Sequence, residues 1–173
     1  PTPSSAASDV YKRQLKDSLQ KEKIFFTEAF MYRYLPYFQK LKEIIETNIL
    51  GKIVNIHSTF NTKVYKQKKF FGIKIKKPDY SNRLFNKELG GGAILDIGCY
   101  PLSLSTFINS ITYKVQLKDI ILENVFTEHC ESGVDIFSNL KINFGNKFNS
   151  YINCSFKENL NQQTIINFED GSL

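Results

Sequence analysis

This 173-residue sequence has no tryptophan, and the usual metal ligands histidine and cysteine are scarce, with only two histidines and three cysteines. Cys99, Cys130 and Cys154 are odd in number and have no zinc-motif spacing, so we predict reduced structural thiols and no metal site. No apolar run approaches the length of a membrane span, and no signal peptide is visible. We therefore expect a cytoplasmic protein without membrane contact.

The composition is typical of a globular chain with one domain, or with one domain and a remnant of another. Hydrophobic residues make up 42% and charged residues 23%. The net charge of +6 permits a nucleic-acid or acidic partner without requiring one. Basic residues are dense in segment 63–77, where Tyr65, Phe70 and Phe71 are placed as stacking on single strands would need. We favour a solvated loop, or a loop with one short strand, over residues 65–87, and no nucleic-acid partner.

The first 14 residues lack apolar periodicity and are rich in small polar side chains. They are either a flexible natural tail or translated adapter sequence, and we favour the second interpretation. In either case they form a non-native or disordered segment, 1–14, that is set aside when the fold is considered. An orderly hydrophobic pattern starts at Leu15.

The hydrophobic pattern after that point alternates between helices and strands. A strand-length apolar run (24–30) is followed by a helical apolar stripe (35–51) and by an alternating strand (52–64). Segment 93–110 predicts a buried helix that is perturbed at Gly98–Pro101, because a proline removes one intrahelical hydrogen bond. Four further alternating runs, separated by turn residues, complete the chain. This order predicts an α/β (α+β) fold, with a mostly antiparallel open sheet and helices on one face.

The sequence GGGAILDIGCYP, residues 90–101, is the segment best suited to chemistry. Three consecutive glycines cost conformational entropy, which makes sense where the backbone passes close to a ligand or to another element. Asp96 and Tyr100 would share one face of a helix, and a carboxylate with a phenol offers an acceptor and a proton donor to a substrate hydroxyl. On spacing alone we favour a structural role, in which Asp96 caps the helix and Tyr100 packs with its hydroxyl at the rim.

GGGAILDIGCYP is preceded by EAFMYRYLP (28–36) and followed by GVD (133–135), and in this order it resembles the Gfo/Idh/MocA oxidoreductases. The resemblance is strongest to their dihydrodiol and xylose dehydrogenase branch, and it runs from about Leu15 to the end. It implies an N-terminal Rossmann domain that binds NAD(P) and a C-terminal α/β domain on the substrate side. Residues 15–28 are then a remnant of the dinucleotide-binding domain, and residues 29–173 are a substrate and dimerisation domain that is truncated at its end.

The resemblance also implies roles for particular residues. Tyr100, in the motif DIG-x-Y, is the acid/base group, and Asp96 orients the substrate. We assign Gly91 and Gly92 to substrate binding. The EAFMYR segment crosses between the domains near the nicotinamide, so Glu28 and Arg33 are assigned to the cofactor.

The sequence departs from the family pattern in two motifs. It has no G-x-G-x-x-G phosphate loop and no Glu-Lys-Pro, whose lysine would favour the phenolate of the acid/base tyrosine. The only Lys-Pro, Lys77-Pro78, follows EAFMYR and is therefore in the wrong order. We predict that this chain alone is inactive, and that NADP or NAD, with NADP favoured by the branch, is bound mainly by a missing N-terminal domain.

We expect the parent protein to transfer a hydride between NAD(P) and a sugar, polyol or dihydrodiol hydroxyl. Its relatives often dimerise through the open sheet face, so we expect a homodimer or a higher homo-oligomer. The main alternative is a non-catalytic oligomerisation or interaction domain that has lost the Rossmann half. A third possibility is RNA or DNA binding through the basic segment.

Overall fold

A computed structural model describes the chain over residues 14, 17–25, 29–65, 68–70, 73–76, 78–158 and 161–173. The chain divides into two compact units, residues 1–36 and 37–173. In the first unit, residues 17–21 are helical and Met31–Tyr34 form a 3-10 turn. The four described residues of the run 24–30 are irregular, because no neighbouring strand pairs with them in the described part of the chain. The middle of that run and the tail up to residue 13 lie outside the described residues.

The second unit is built on one large sheet and one small hairpin. Its strands are β1 (Ile53–Asn61), β2 (Lys68–Phe70), β3 (Ile73–Lys76), β4 (Ile120–His129), β5 (Asp135–Phe144), β6 (Phe148–Ser155), β7 (Gln163–Phe168) and β8 (Gly171–Ser172). The six-stranded sheet has the order β4-β5-β6-β1-β7-β8, and β2 pairs with β3 alone. Neighbouring strands of the large sheet are antiparallel except β1 and β6, which are parallel. The predicted mostly antiparallel sheet is confirmed.

Two helices, α1 (Pro36–Thr47) and α2 (Cys99–Ile111), cover one face of this sheet. Pro36 suits the first turn of α1, because its φ is preset for a helix and its missing N–H would have no partner there. Ile45 of α1 and Ile108 of α2 enter the same core cluster as Ile56 and Ile152 of the sheet. The two helices therefore lie on the same side, as the sequence predicts.

The strand pattern leaves the opposite face of the sheet open. In β6, alternate residues such as Ser150 and Ile152 are buried under the helices, whereas Asn149, Tyr151 and Asn153 between them are half-buried on the other face. Because side chains in a strand alternate between faces, this pattern fixes the register of the strand in the sheet. On β6, the side chains of this open face are those of two asparagines and one tyrosine.

The run Lys87–Ile111 is long and apolar enough to cross a membrane by length and composition, so the expectation that no apolar run approaches this length is wrong. In the described structure, 44% of its most apolar window is buried inside the protein. Ala93, Ile97 and Ile108 of this run lie in the two core clusters. Part of the run therefore packs in the protein interior, while Leu89, Leu95 and Leu102 are exposed.

A smaller core cluster lies beside the segment GGGAILDIGCYP. It consists of Phe85, Ala93, Ile97, Cys130, Val134, Ile136, Cys154 and Phe156. We call this set the second cluster. It joins the glycine segment to strands β5 and β6, and it thereby sets the position of the residues described next.

Candidate active site

GGGAILDIGCYP folds as a π-helical turn, Ile94–Gly98, that leads directly into α2. Pro101 cannot donate the backbone hydrogen bond of a regular α-helix, and the wider preceding turn accommodates this. The predicted helix is confirmed, with its perturbation one turn earlier than the expected Gly98–Pro101. Single π turns inside helices are frequent at functional sites.

The carboxylate of Asp96 is held by an arginine that the sequence analysis did not single out. Nη1 of Arg83 donates a hydrogen bond of 2.8 Å to Oδ1 of Asp96. The side chain of Asp96 is 20% exposed and that of Arg83 is 71% exposed. An ion pair this open to solvent contributes about 0–1 kcal/mol to stability, so its main effect is to orient the carboxylate. In the sequence, the only indication of this contact is that Arg83 lies in the segment just before the glycines.

Tyr100 is half-buried and stacks on Phe60, near the end of β1. Their ring centroids are 5.3 Å apart and the ring planes are 12° from parallel. This contact restricts the orientation of the tyrosine ring while the residue keeps access to solvent. Neither Asp96 nor Tyr100 is fully buried in the interior, so a substrate hydroxyl can approach both groups.

At Gly91 and Gly92, ahead of the π turn, other atoms of the protein occupy the space that a side chain would need. A Cβ on Gly91 would lie 2.6 Å from the carbonyl oxygen of Arg83 and 2.7 Å from that of Leu84. A Cβ on Gly92 would lie 2.2 Å from Oδ1 of Asp135. Of the two explanations for the glycine run, close approach of another protein element therefore accounts for both positions. Substrate binding by the backbone of Gly91 and Gly92 stays a prediction.

Asp135, the last residue of the GVD motif, holds the sheet to the start of the helix formed by the π turn and α2 (residues 94–111), which we call the site helix. Its Oδ2 accepts hydrogen bonds of 2.8 Å from the N–H of Ile94 and from the hydroxyl of Ser138. Hence the structural interpretation of Asp96 as the helix cap is wrong: the N–H of Ile94 at the helix start donates to Asp135, and Asp96 contacts Arg83 instead.

The two residues assigned to the cofactor lie in the first unit of the chain. Glu28 lies outside the described residues. Arg33 is half-buried in the turn Met31–Tyr34, and its guanidinium lies over the ring of Phe30 at 5.3 Å. Both assignments stay predictions.

His57 and Cys154, two other titratable residues, pack against neighbouring side chains of the sheet. His57 is on the open face of the sheet, stacked on Tyr151 with a centroid distance of 4.5 Å. Among the described residues, no group of three or more histidine, cysteine or acidic side chains could hold a metal ion. Burial, together with the nearby Asp135 and Cys99, raises the pKa of Cys154 to about 12, so this thiol is a poor nucleophile at neutral pH.

The arrangement can bind and exchange protons with a substrate hydroxyl. Asp96 supplies acceptor oxygens, Tyr100 supplies a hydroxyl that both donates and accepts, and Arg83 supplies a fixed positive charge. A dinucleotide does not fit these residues alone, because a pyrophosphate needs a glycine-rich loop and the chain has no G-x-G-x-x-G.

A family model described as the GFO/IDH/MocA C-terminal domain matches residues 38–173. The chain is 25% identical over 161 residues to a trans-1,2-dihydrobenzene-1,2-diol dehydrogenase of Xenopus laevis, covering 93% of this chain and 43% of that protein. It is 29% identical over 144 residues to a D-xylose 1-dehydrogenase (NADP(+)) of Hypocrea jecorina, covering 83% of this chain and 33% of that protein. The chain thus spans less than half the length of these curated relatives.

Solved structures with the same fold include a 3-ketoreductase from Actinomadura kijaniata in complex with TDP-benzene and NADP. That match has a TM-score of 0.65 and 14% identity, and covers 92% of this chain and 42% of that one. An aldose-aldose oxidoreductase from Caulobacter crescentus complexed with glycerol matches with a TM-score of 0.64 and 15% identity, over 83% of this chain and 38% of that one. At this identity the likeness is one of fold.

Proposed function

The chain belongs to the GFO/IDH/MocA family, because its residues 38–173 match the family's C-terminal domain, and we propose that the chain is the substrate side of an NAD(P)-dependent dehydrogenase. The whole protein would act on a sugar, polyol or dihydrodiol hydroxyl. The observation that carries the proposal is the half-buried pair of Asp96 and Tyr100 on the π turn and its following helix, held by Arg83 and Phe60. The similarity to dihydrodiol and xylose dehydrogenases supports the same substrate class.

In the proposed reaction, Tyr100 exchanges the proton of the reacting hydroxyl. Asp96 accepts a hydrogen bond from a hydroxyl of the substrate and so fixes which carbon faces the cofactor. Arg83 and Phe60 are positioning residues, because each holds one member of the pair and neither needs to touch the reacting atoms. General acid–base catalysis of this kind typically contributes about 10²–10⁴-fold to the rate.

The cofactor of the proposed enzyme is NADP or NAD, which accepts or returns the hydride when bound. The name of the relative from Hypocrea jecorina includes NADP(+), which favours NADP. Glu28 and Arg33 are the residues of this chain that we propose to lie near the cofactor. Its phosphates need a glycine-rich loop, which we place in a preceding domain.

We further propose that two copies of the chain associate through the open sheet face. On this face, Asn149, Tyr151 and Asn153 of β6 are half-buried, and the exposed His57 of β1 stacks on Tyr151. Amide groups carry both donors and acceptors, so the same patch can pair with itself about a two-fold axis.

A cytoplasmic location is part of the proposal. Cys99, Cys130 and Cys154 are thiols rather than disulfides. Reduced cysteines support a reducing compartment.

The proposed function is tested by recovering the coding sequence upstream of Leu15 and expressing the complete protein. We expect a G-x-G-x-x-G loop and a Glu-Lys-Pro ahead of Leu15, and NADP-dependent oxidation of xylose or of a dihydrodiol, followed by the absorbance of the reduced nicotinamide. A start codon close to Leu15, or no turnover of any such substrate, would favour the non-catalytic interaction domain instead.

The role of Asp96 is tested in the same protein by Asp96→Asn, which keeps the size of the side chain and removes its charge. We expect kcat/KM to fall by about 10–100-fold, because the hydrogen bond to the substrate weakens. The matched control is Asp119→Asn, at an exposed position before β4, and it should leave kcat/KM unchanged.

A further inference from the structure

The outer face of the site helix changes from apolar to polar along its length. Five positions recur at helical spacing on this face: Leu95, Cys99, Leu102, Thr106 and Ser110. Cys99 is half-buried and the other four residues are exposed, whereas Ser103, Ser105 and Ile108 between them are buried. The first three positions of the outer face are apolar, and the last two carry hydroxyl groups. We call Leu95, Cys99 and Leu102 the apolar stripe.

The inner face of the same helix already packs on the core of the domain. Ile97 lies in the second cluster, and Ile108 lies in the cluster that α1 and the large sheet share. Leu95 and Leu102 instead keep 62% and 40% of their surface exposed. The outer face of a surface helix is ordinarily polar, as it is here at Thr106 and Ser110. Apolar side chains at one end of this face therefore indicate a contact surface.

The apolar stripe lies directly beside the proposed catalytic pair. Asp96 follows Leu95 in the chain, and Tyr100 follows Cys99. Each member of the pair is therefore turned by about 100° around the helix from its neighbour in the stripe. From Leu95 to Leu102 the stripe extends about 10 Å along the helix, at a rise of about 1.5 Å for each residue. Any protein surface that covers the stripe consequently borders the space in front of the pair.

The relatives of this chain have enough additional sequence to supply such a surface. The similarity to the Xenopus laevis dehydrogenase covers 43% of that protein, and the matching family model describes a C-terminal domain. The proposed reaction needs reacting atoms about 3–3.5 Å apart. The dinucleotide-binding domain must therefore approach the end of the site helix that carries Asp96 and Tyr100, which is also the end that carries the apolar stripe.

We propose that the dinucleotide-binding domain of the complete protein docks on the apolar stripe through an apolar surface of its own. The inference rests on the proposed function and assigns the surface by which the two halves of the enzyme meet. Docking removes the exposed parts of Leu95 and Leu102 from water, which favours the closed arrangement. It also sets the distance between the cofactor and the catalytic pair, so Leu95 and Leu102 are positioning residues.

The test uses the complete protein with the double change Leu95→Lys, Leu102→Lys, which we call the stripe variant. Both side chains are exposed, so the core is not altered, and circular dichroism of the 173-residue chain with the same changes checks that it is folded. We expect urea unfolding of the complete protein to change from one transition to two, because the halves no longer stabilise each other. This readout does not depend on activity.

The kinetics of the stripe variant give a second readout. We expect kcat to fall by about 10²-fold, because a misplacement of the reacting atoms by about 1 Å can cost this much. The affinity for NADP, measured by isothermal titration without substrate, should be unchanged, since the phosphates are bound within the other domain. A loss of both kcat and NADP affinity would overturn the positioning role.

The matched control is Ile49→Lys, Leu117→Lys, which places the same charges at exposed apolar positions outside the stripe. It should keep the single unfolding transition and the kcat of the unchanged protein. If the stripe variant also keeps both, the docking surface is overturned while the dehydrogenase function stands. If the stripe variant splits the transition, and the unchanged complete protein oxidises no sugar, polyol or dihydrodiol, the docking surface stands and the proposed function fails.

Two other occupants of the stripe are distinguished with the 173-residue chain. Cosedimentation with phosphatidylcholine vesicles that is lost on Leu95→Lys, Leu102→Lys would show a membrane contact and overturn the inference. A dimer in light scattering that these changes convert to a monomer would show that a second copy covers the stripe, and would overturn it as well. We expect the chain to stay in the supernatant, and its mass to be the same with and without the two changes.

Discussion

Replacement of Gly92 by alanine tests how the site helix is attached to the sheet. Gly92 has a φ of 124°, a conformation that residues with a side chain rarely adopt. The new Cβ would lie 2.2 Å from Oδ1 of Asp135, far inside contact distance. Either the backbone of the turn or the carboxylate must move, and movement of the carboxylate breaks its hydrogen bonds to Ile94 and Ser138.

The expected cost combines two effects. Holding a non-glycine residue in such a conformation costs about 1–3 kcal/mol. Losing a hydrogen bond to a charged group costs about 1.5–3 kcal/mol, and Asp135 makes two such bonds. With one of them lost, Gly92→Ala should lower the free energy of unfolding by about 2.5–6 kcal/mol, a large share of the roughly 5–15 kcal/mol of an ordinary domain.

The assay is urea unfolding of the 173-residue chain, followed by circular dichroism. Gly133→Ala is the matched control, because Gly133 also has a positive φ, of 81°, and has no atom within 4 Å of its Cβ position. It should cost only the backbone part, about 1–3 kcal/mol. Adding Asp135→Ala to Gly92→Ala should cost less than the two single changes together, since the clash is then gone. An equal fall of the unfolding free energy for Gly92→Ala and Gly133→Ala would show that Asp135 does not hold the site helix to the sheet.

Three further outcomes are expected. In urea unfolding, Ser105→Ala should lower the unfolding free energy by about 1–3 kcal/mol, because the buried hydroxyl of Ser150 loses its partner at 2.7 Å. The double variant Ser105→Ala, Ser150→Ala should lose less than the sum of the two single variants. The raised pKa of Cys154, about 12, means that the unfolded chain loses this proton first. The contribution of the Cys154 thiol to the free energy of unfolding is therefore complete below about pH 9 and is lost as the pH rises toward 12, by at most about 1.4 kcal/mol per pH unit. Cys154→Ala should reduce this pH dependence of the unfolding free energy, measured by urea titrations at about pH 8–10. Tyr151→Asp should convert the proposed dimer to monomer in light scattering, because it places charges on the open face, whereas an unchanged mass would exclude that face.

The sequence predicts those parts of the fold that depend on local hydrophobic patterns. The stripe of Phe38, Leu41 and Ile45 defined α1, and alternation defined β1 and the later strands because side-chain period follows backbone geometry. The disturbance in the site helix was foreseeable from Pro101, which lacks one donor. The parallel pairing of β1 with β6 was not foreseeable, because it joins residues about ninety positions apart and no local pattern records it.

The candidate site shows the same division. Asp96 and Tyr100 stand in a recognisable segment, but their supports come from elsewhere in the chain. Arg83 reaches Asp96 from a separate turn, and Asp135 reaches the helix start from β5. The exclusion of Asp96 as the cap depended on seeing Asp135 in that place, since a carboxylate in a first turn is compatible with either role.

The most direct test of the central claim is single-turnover hydride transfer by the complete protein with Tyr100→Phe. Phenylalanine keeps the ring that stacks on Phe60 and removes only the hydroxyl. The control is Tyr113→Phe, whose hydroxyl donates to the carbonyl of Ile53 away from the site. We predict a fall of about 10²–10⁴-fold in the transfer rate for Tyr100→Phe, with NADP binding unchanged. A rate within a few-fold of the unchanged protein would contradict the assignment of Tyr100 as the proton-exchanging group.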